Sequence, residues 1–179
     1  MKNDGQTLEM ENSANNIRLD ENGVCTFVPL SYLQTTSKIY NMPTGYRAYA
    51  RGNPHAGWDY DNGPTLTTPS GTKSVTVKIV MYTKHVGDGW VAKAWINVNG
   101  KYHRVLYKSG KGGGSYTASK TFNVSSDRAR IFVRGGAYSR GDDRYAKADV
   151  RITGGSILTD HNERISAGEV QYIAVGKGK

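Results

Sequence analysis

The chain holds one cysteine, Cys25, so no disulfide can close within it and its fold does not depend on an oxidising compartment. Cys25 lies in the apolar run Val24-Cys25-Thr26-Phe27-Val28, where a thiol reads as a small buried hydrophobe rather than a nucleophile. No stretch of 18 apolar residues occurs, so no transmembrane helix is expected. The opening residues, Met1-Lys2-Asn3-Asp4-Gly5-Gln6-Thr7, lack the apolar core of a secretory signal. The expectation is synthesis in the cytoplasm without a signal peptide, with release or incorporation into a virion as the routes onward.

Proline is confined to one part of the chain. All five (Pro29, Pro43, Pro54, Pro64, Pro69) precede Thr72. Proline removes a ladder donor and is kept to strand edges and bulges, so the proline-free stretch is the one free to form regular sheet. This predicts a polar N-terminal arm over residues 1–22 and a single domain over 23–179. That domain is loop-rich to residue 71 and a regular sheet body over 72–175. Helical periodicity is also missing. Only Asp160–Ala167 is expected to form a short helix.

What is abundant is glycine, 22 residues, and tyrosine, 12, among Val, Ile and Thr. Such a mixture suits short strands joined by tight turns. In Thr72–Lys84 the residues Val75, Val77, Ile79 and Met81 alternate with Thr76, Lys78, Val80 and Tyr82, which marks a strand. Gly89–Asn97 and Lys101–Tyr107 flank Asn99-Gly100, the strongest short hairpin signal because both turn residues need positive φ. Further strands are expected at 115–124, 128–134, 144–152, 155–159 and 168–175, with the glycine pairs Gly135-Gly136 and Gly154-Gly155 among the turns that separate them. The fold class predicted is all-β: an antiparallel, jelly-roll-like β-sandwich of about 8–10 strands with little or no helix.

The hairpin turn fixes a register. Val98 faces Lys101, and the pairs continue Asn97 with Tyr102, Ile96 with His103, Trp95 with Arg104, Ala94 with Val105 and Lys93 with Leu106. One face then carries Trp90, Ala92, Ala94, Ile96, Val98, His103, Val105 and Tyr107 and belongs to a core. The other carries Lys93, Trp95, Asn97, Tyr102, Arg104 and Leu106, with Arg104 placed for a cation–π contact on Trp95. This second face is either a covered cross-strand ladder or a recognition platform.

Net charge is +9, split as −1 over residues 1–60 and +10 over the rest. A basic surface attracts nucleic acid or anionic glycans. Catalytic signatures are lacking. His55, His85, His103 and His161 show no metal-ligand spacing, and no Gly-x-Ser-x-Gly elbow is present. Ser109–Ser115 is glycine-rich but lacks the Gly-Lys-Ser/Thr ending of a phosphate loop. No cofactor is expected, with calcium at Asp59 and Asp61 as the one option raised by the Trp58–Gly63 segment. The aromatic loop around Trp58, Asp59 and Tyr60, and the glycine-rich connection holding Tyr138 and Asp142, are the other candidate binding segments.

These features point to a non-enzymatic binding module for a carbohydrate or cell-surface receptor, of lectin, adhesin or toxin receptor-binding type. Its expected site residues are Trp95, Tyr102, Arg104, Lys93, Asn97, Trp58, Asp59, Tyr60, Tyr138 and Asp142. The alternatives are a structural subunit of a viral or phage particle or other large assembly, and a nucleic-acid-binding protein acting through its basic surface. A homo-oligomer or larger assembly is expected.

Overall fold

The computed structural model of the chain describes residues 17–19, 25–27, 31–53, 57–85, 90–110, 112–139, 145–166 and 170–172. The strands in chain order are β1 (Ile17–Leu19), β2 (Cys25–Phe27), β3 (Ser31–Asn41), β4 (Arg47–Gly52), β5 (Asp59–Asn62), β6 (Leu66–Thr67) and β7 (Thr72–His85). They continue with β8 (Trp90–Val98), β9 (Lys101–Gly110), β10 (Gly114–Asn123), β11 (Arg130–Tyr138), β12 (Ala146–Ser166) and β13 (Val170–Tyr172). No helix among the described residues is long and apolar enough to cross a membrane.

The chain divides into two units, Met1–Thr36 with Asn162–Lys179, and Ser37–His161. The first carries a small antiparallel sheet in the order β1-β2-β13. Cys25 begins its central strand, opposite Leu19 on one side and Tyr172 on the other.

The second unit carries the sandwich. One sheet runs β10-β7-β12, and β12 gives its far edge to both β3 and β4; the other runs β9-β8-β11, and β11 gives its far edge to both β5 and β6. All registered pairs are antiparallel. Reduced to eight strands, the orders are β4-β12-β7-β10 and β5-β11-β8-β9. The chain changes sheet at every link among these except the β8–β9 hairpin. That is the connectivity of a jelly roll, two Greek keys closed into one sandwich. Pro43, Pro64 and Pro69 fall in the links before β4, β6 and β7, where no ladder donor is lost.

Alternation along the strands supplies the core. Val75, Val77, Ile79 and Met81 of β7 face Trp90, Ala92, Ala94 and Ile96 of β8, Ile131 and Val133 of β11, and Val150 and Ile152 of β12 in one buried cluster. At the β4–β11 end both sheets present small residues (Ala48, Ala50, Gly135, Ala137, Ala148), so the backbones approach closely there. His103 sets its ring against Phe122, centroids 4.8 Å apart and planes tilted by 52°. Burial, and then the neighbouring Lys120 and Lys101, hold its imidazole below the usual range.

Three local expectations are corrected. Residues 160–166 continue β12 rather than forming a helix. Asp160 N donates to Gly71 O and Ser37 Oγ donates to Asp160 Oδ1, so the segment finds its partners across strands. Gly154-Gly155 does not separate two strands but forms a bulge inside one, with the register shifting between Ile152 and Gly154. Gly155 has φ +128°, and a Cβ there would run into Thr76 O of β7. No larger residue fits.

The third correction lies in the hairpin. Asn99 (φ 51°) and Gly100 (φ 87°) form the expected turn, and the register holds from Val98–Lys101 to Trp95–Arg104. It then slips by one, pairing Ala94 with Leu106 and Lys93 with Tyr107. Val105 is the extra residue. A one-residue slip exchanges faces. Tyr107 therefore leaves the core side and stands 51% exposed, while Leu106 packs against the core with Val105.

An aromatic and cationic sheet face as candidate binding site

The outer face of the β5-β11-β8-β9 sheet collects the side chains left over when the opposite parity goes to the core. Register places Asn62, Arg134, Trp95 and Arg104 in one row across the four strands. The next row is Tyr60, Gly136, Lys93 and Tyr107. Tyr138 opens the row beyond, and Trp58 stands just ahead of β5.

The rings form a connected set. Trp58 stacks on Tyr60 (centroids 5.7 Å, 11° between planes) and on Tyr138 (5.5 Å, 26°). Tyr60 meets Trp95 edge-on at 5.8 Å, and Tyr102 meets Phe132 in the same way at 5.8 Å. Gly136 forms the floor beneath the Tyr60–Trp95 pair: a Cβ there would lie 2.8 Å from both rings. Two cations are threaded among them. Lys93 Nζ lies 3.8 Å from the Trp58 centroid, within the range of a strong cation–π contact. The Arg134 guanidinium lies 4.3 Å from Tyr60, 5.1 Å from Tyr102 and 5.9 Å from Trp95.

Lys93, Arg104 and Arg134 pair with no carboxylate among the described residues. The Arg134 Nε is buried without a partner. The face is thus apolar in area and positive in sign. Beside it, at the Trp58 end, a cleft of about 640 Å³ is lined by Trp58, Trp90, Val91, Tyr107, Ser109, Gly110 and Tyr138. That volume is within the range of small-ligand sites.

Of the residues singled out in the sequence, Trp95, Tyr102, Arg104, Lys93, Trp58, Tyr60 and Tyr138 lie on or at the edge of this one face. Arg104 does not cover Trp95; it turns to Tyr107, at 5.8 Å, and Arg134 takes its place. Asn97 is buried, and its Oδ1 accepts from Gly100 N at 2.9 Å, so it serves the turn. Asp59 points away: its Oδ2 accepts from Arg51 N, and Asp61 Oδ2 accepts from Tyr49 N. The two carboxylates cap the edge of β4 that β12 leaves open. No group of three His, Cys, Asp or Glu gathers as a metal site among the described residues. Asp142 lies outside the described residues.

Sequence reading missed Arg134, Gly136, Phe132 and Tyr107. The first three share the parity of Tyr138 along β11. Extending the strand alternation through Gly135-Gly136, rather than reading those glycines as a turn, finds them. Tyr107 is hidden by the bulge, which no local pattern announces.

No family model matches the chain, and no curated protein matches it. Among solved structures, the chain is similar to one titled as the Gt strain of infectious bursal disease virus, with a TM-score of 0.39 and 10% identity over 75% of this chain and 38% of that one. A structure titled as the VP2 subviral particle of the same virus gives 0.34 and 13%, over 75% and 39%. The CBM36-1 domain of a multidomain xylanase from the hindgut metagenome of Trinervitermes trinervoides gives 0.27 and 13%, over 73% of this chain and all of that one. The chain spans about two fifths of the virus chains it matches.

Proposed function

We propose that this chain is a non-enzymatic binding module that recognises a carbohydrate, of the kind displayed on cell surfaces, through the outer face of the β5-β11-β8-β9 sheet. The observation that carries the reading is the Trp58–Tyr60–Trp95 run of rings over Gly136, with Lys93 and Arg134 between them and a cleft alongside. A sugar offers C–H faces that stack on flat rings and hydroxyls that need donors at the ring edges. Three cations without carboxylate partners among the described residues favour sugars that carry an acidic group. Asp59 and Asp61 of β5 already accept backbone amides of β4.

The test is binding to an array of neutral and acidic glycans, with Trp58→Ala and Trp95→Ala as probes. Each variant is expected to lose about tenfold or more in affinity, equivalent to about 1.4 kcal/mol. Unchanged binding in both overturns the site.

A second reading, a structural subunit of a particle or other assembly, is favoured by the small sheet of the first unit. Its outer strands β1 and β13 each pair on one side only among the described residues, and open edges accept further strands. Light scattering after size-exclusion chromatography tests it. A monomer at all accessible concentrations removes this reading and leaves the first untouched.

A further inference from the structure

The opposite face of the sandwich has a different composition. Across β4, β12 and β7 the register aligns Arg47 with Arg151, Tyr49 with Asp149 and Tyr82, and Arg51 with Lys147 and Lys84. Successive rows lie about 7 Å apart, two residues along each strand. Five cations and two tyrosines thus surround one carboxylate, Asp149, which is 1% exposed.

Asp149 does not cancel the face; it organises it. Arg47 donates through Nε (2.8 Å) and Nη2 (2.9 Å), and Arg151 donates through Nε (3.1 Å) and Nη2 (2.9 Å), to the two oxygens of the same carboxylate. Each guanidinium is held beside an exposed ring, Arg47 at 5.2 Å from Tyr49 and Arg151 at 5.4 Å from Tyr82. Each also keeps N–H groups that Asp149 does not use. Tyr49 and Tyr82 are 38% and 42% exposed. Arg51 and Lys84 pair with no carboxylate among the described residues.

We propose that this face is a docking strip for single-stranded nucleic acid, with Tyr49 and Tyr82 as stacking platforms for bases and the flanking Arg and Lys side chains as phosphate contacts. Charge complementarity selects a polyanion. The two exposed rings set among the cations select one that carries π faces, as stacking platforms in single-strand binders do. A sulfated glycan also satisfies the charges, but it offers the rings C–H faces where a base offers a π face.

The experiment is fluorescence anisotropy of the full chain with a labelled oligothymidylate of about 20 nucleotides, across a salt titration. Three to five phosphate contacts give a slope of log affinity against log salt of about −2 to −3.5. Tyr82→Ala is expected to weaken binding by about 5- to 100-fold with the slope nearly kept, and Tyr82→Phe to restore it. Lys84→Glu with Arg51→Glu is expected to weaken binding and flatten the slope. Lys101→Ala, at the β8–β9 turn, is expected to bind as wild type does. Absence of binding at low salt overturns the proposal. So does equal binding by wild type and both strip variants. A heparin fragment that binds alone, indifferent to Tyr82→Ala, replaces nucleic acid with a sulfated glycan.

Discussion

Removing the Asp149 carboxylate, by mutation or by acid, tests the electrostatics of the β4-β12-β7 face. Burial by itself would raise the Asp149 pKa, but hydrogen bonds from Arg151 and Arg47, and their charges, outweigh it and bring the group from 3.8 down to about 2. That fall is worth roughly 2 kcal/mol, at about 1.4 kcal/mol per pH unit. The folded pKa is depressed, so this stability is present in full above the unfolded value. It is lost as pH falls from about 4 to about 2. Asp149→Asn is expected to cost about 2–3 kcal/mol at pH 7. The cost stays below the 3–5 kcal/mol typical of orphaning a buried charge because the Arg47 and Arg151 side chains are 47% and 45% exposed and regain water. The assay is urea unfolding of wild type and Asp149→Asn between about pH 7 and pH 2. Asp127, its carboxyl also lowered by bonds from Ser70 Oγ and Gly71 N, contributes alike in both proteins. The difference between the two proteins removes their common part. A difference under about 0.5 kcal/mol at pH 7, or one that does not shrink between pH 4 and 2, refutes the reasoning.

Gly155→Ala is expected to cost about 3 kcal/mol or more, or to abolish soluble expression, because the added methyl meets Thr76 O at φ +128°; chemical denaturation checks it. Thr68→Val removes the hydroxyl oxygen that accepts from Ala129 N and Thr72 Oγ1, both at 2.8 Å. The buried amide left behind should cost about 1–3 kcal/mol, seen as a Tm lower by several degrees. Gly136→Ala pushes Trp95 and Tyr60 off their floor. It should alter the near-UV circular dichroism of the tryptophans and weaken glycan binding, with a loss of about 1–3 kcal/mol in stability. Trp90→Ala, at a 2% exposed core position, should cost about 3–5 kcal/mol by the same unfolding measurement.

The all-β sandwich class was legible because its signals are local; the strand order that makes it a jelly roll was not, since it depends on pairings far apart in sequence. Period-2 alternation in β7 and the Asn99-Gly100 turn each need only neighbours in sequence to be read. The errors also have local causes. Glycine pairs read as turns were a bulge at Gly154-Gly155 and a clearance at Gly135-Gly136, since glycine serves close approach as readily as reversal. Asp160–Ser166 lacked any apolar face for a strand or a helix, and cross-strand partners decided it. The hairpin register was right up to Trp95–Arg104, then lost to a bulge at Val105 that exchanged Tyr107 for Leu106.

The two sheet faces separate what a sequence can disclose from what only a fold can assemble. Half of the aromatic face comes from one hairpin, so Lys93, Trp95, Tyr102 and Arg104 could be placed together by counting from a turn. The cationic face has no such anchor. Arg47 to Arg51, Tyr82 to Lys84 and Lys147 to Arg151 lie roughly 30 to 100 residues apart, and they meet only because jelly-roll connectivity inserts β12 between β4 and β7. The excess charge was visible from composition, but its arrangement depends on Asp149. One acid at the centre of β12 converts scattered basic residues into two fixed guanidiniums beside two exposed rings. Polyanion binding without that carboxylate would still follow from net charge. Binding that discriminates a stacked base from a sulfate would not, and Asp149→Asn should therefore cost selectivity between oligothymidylate and heparin more than it costs affinity for either.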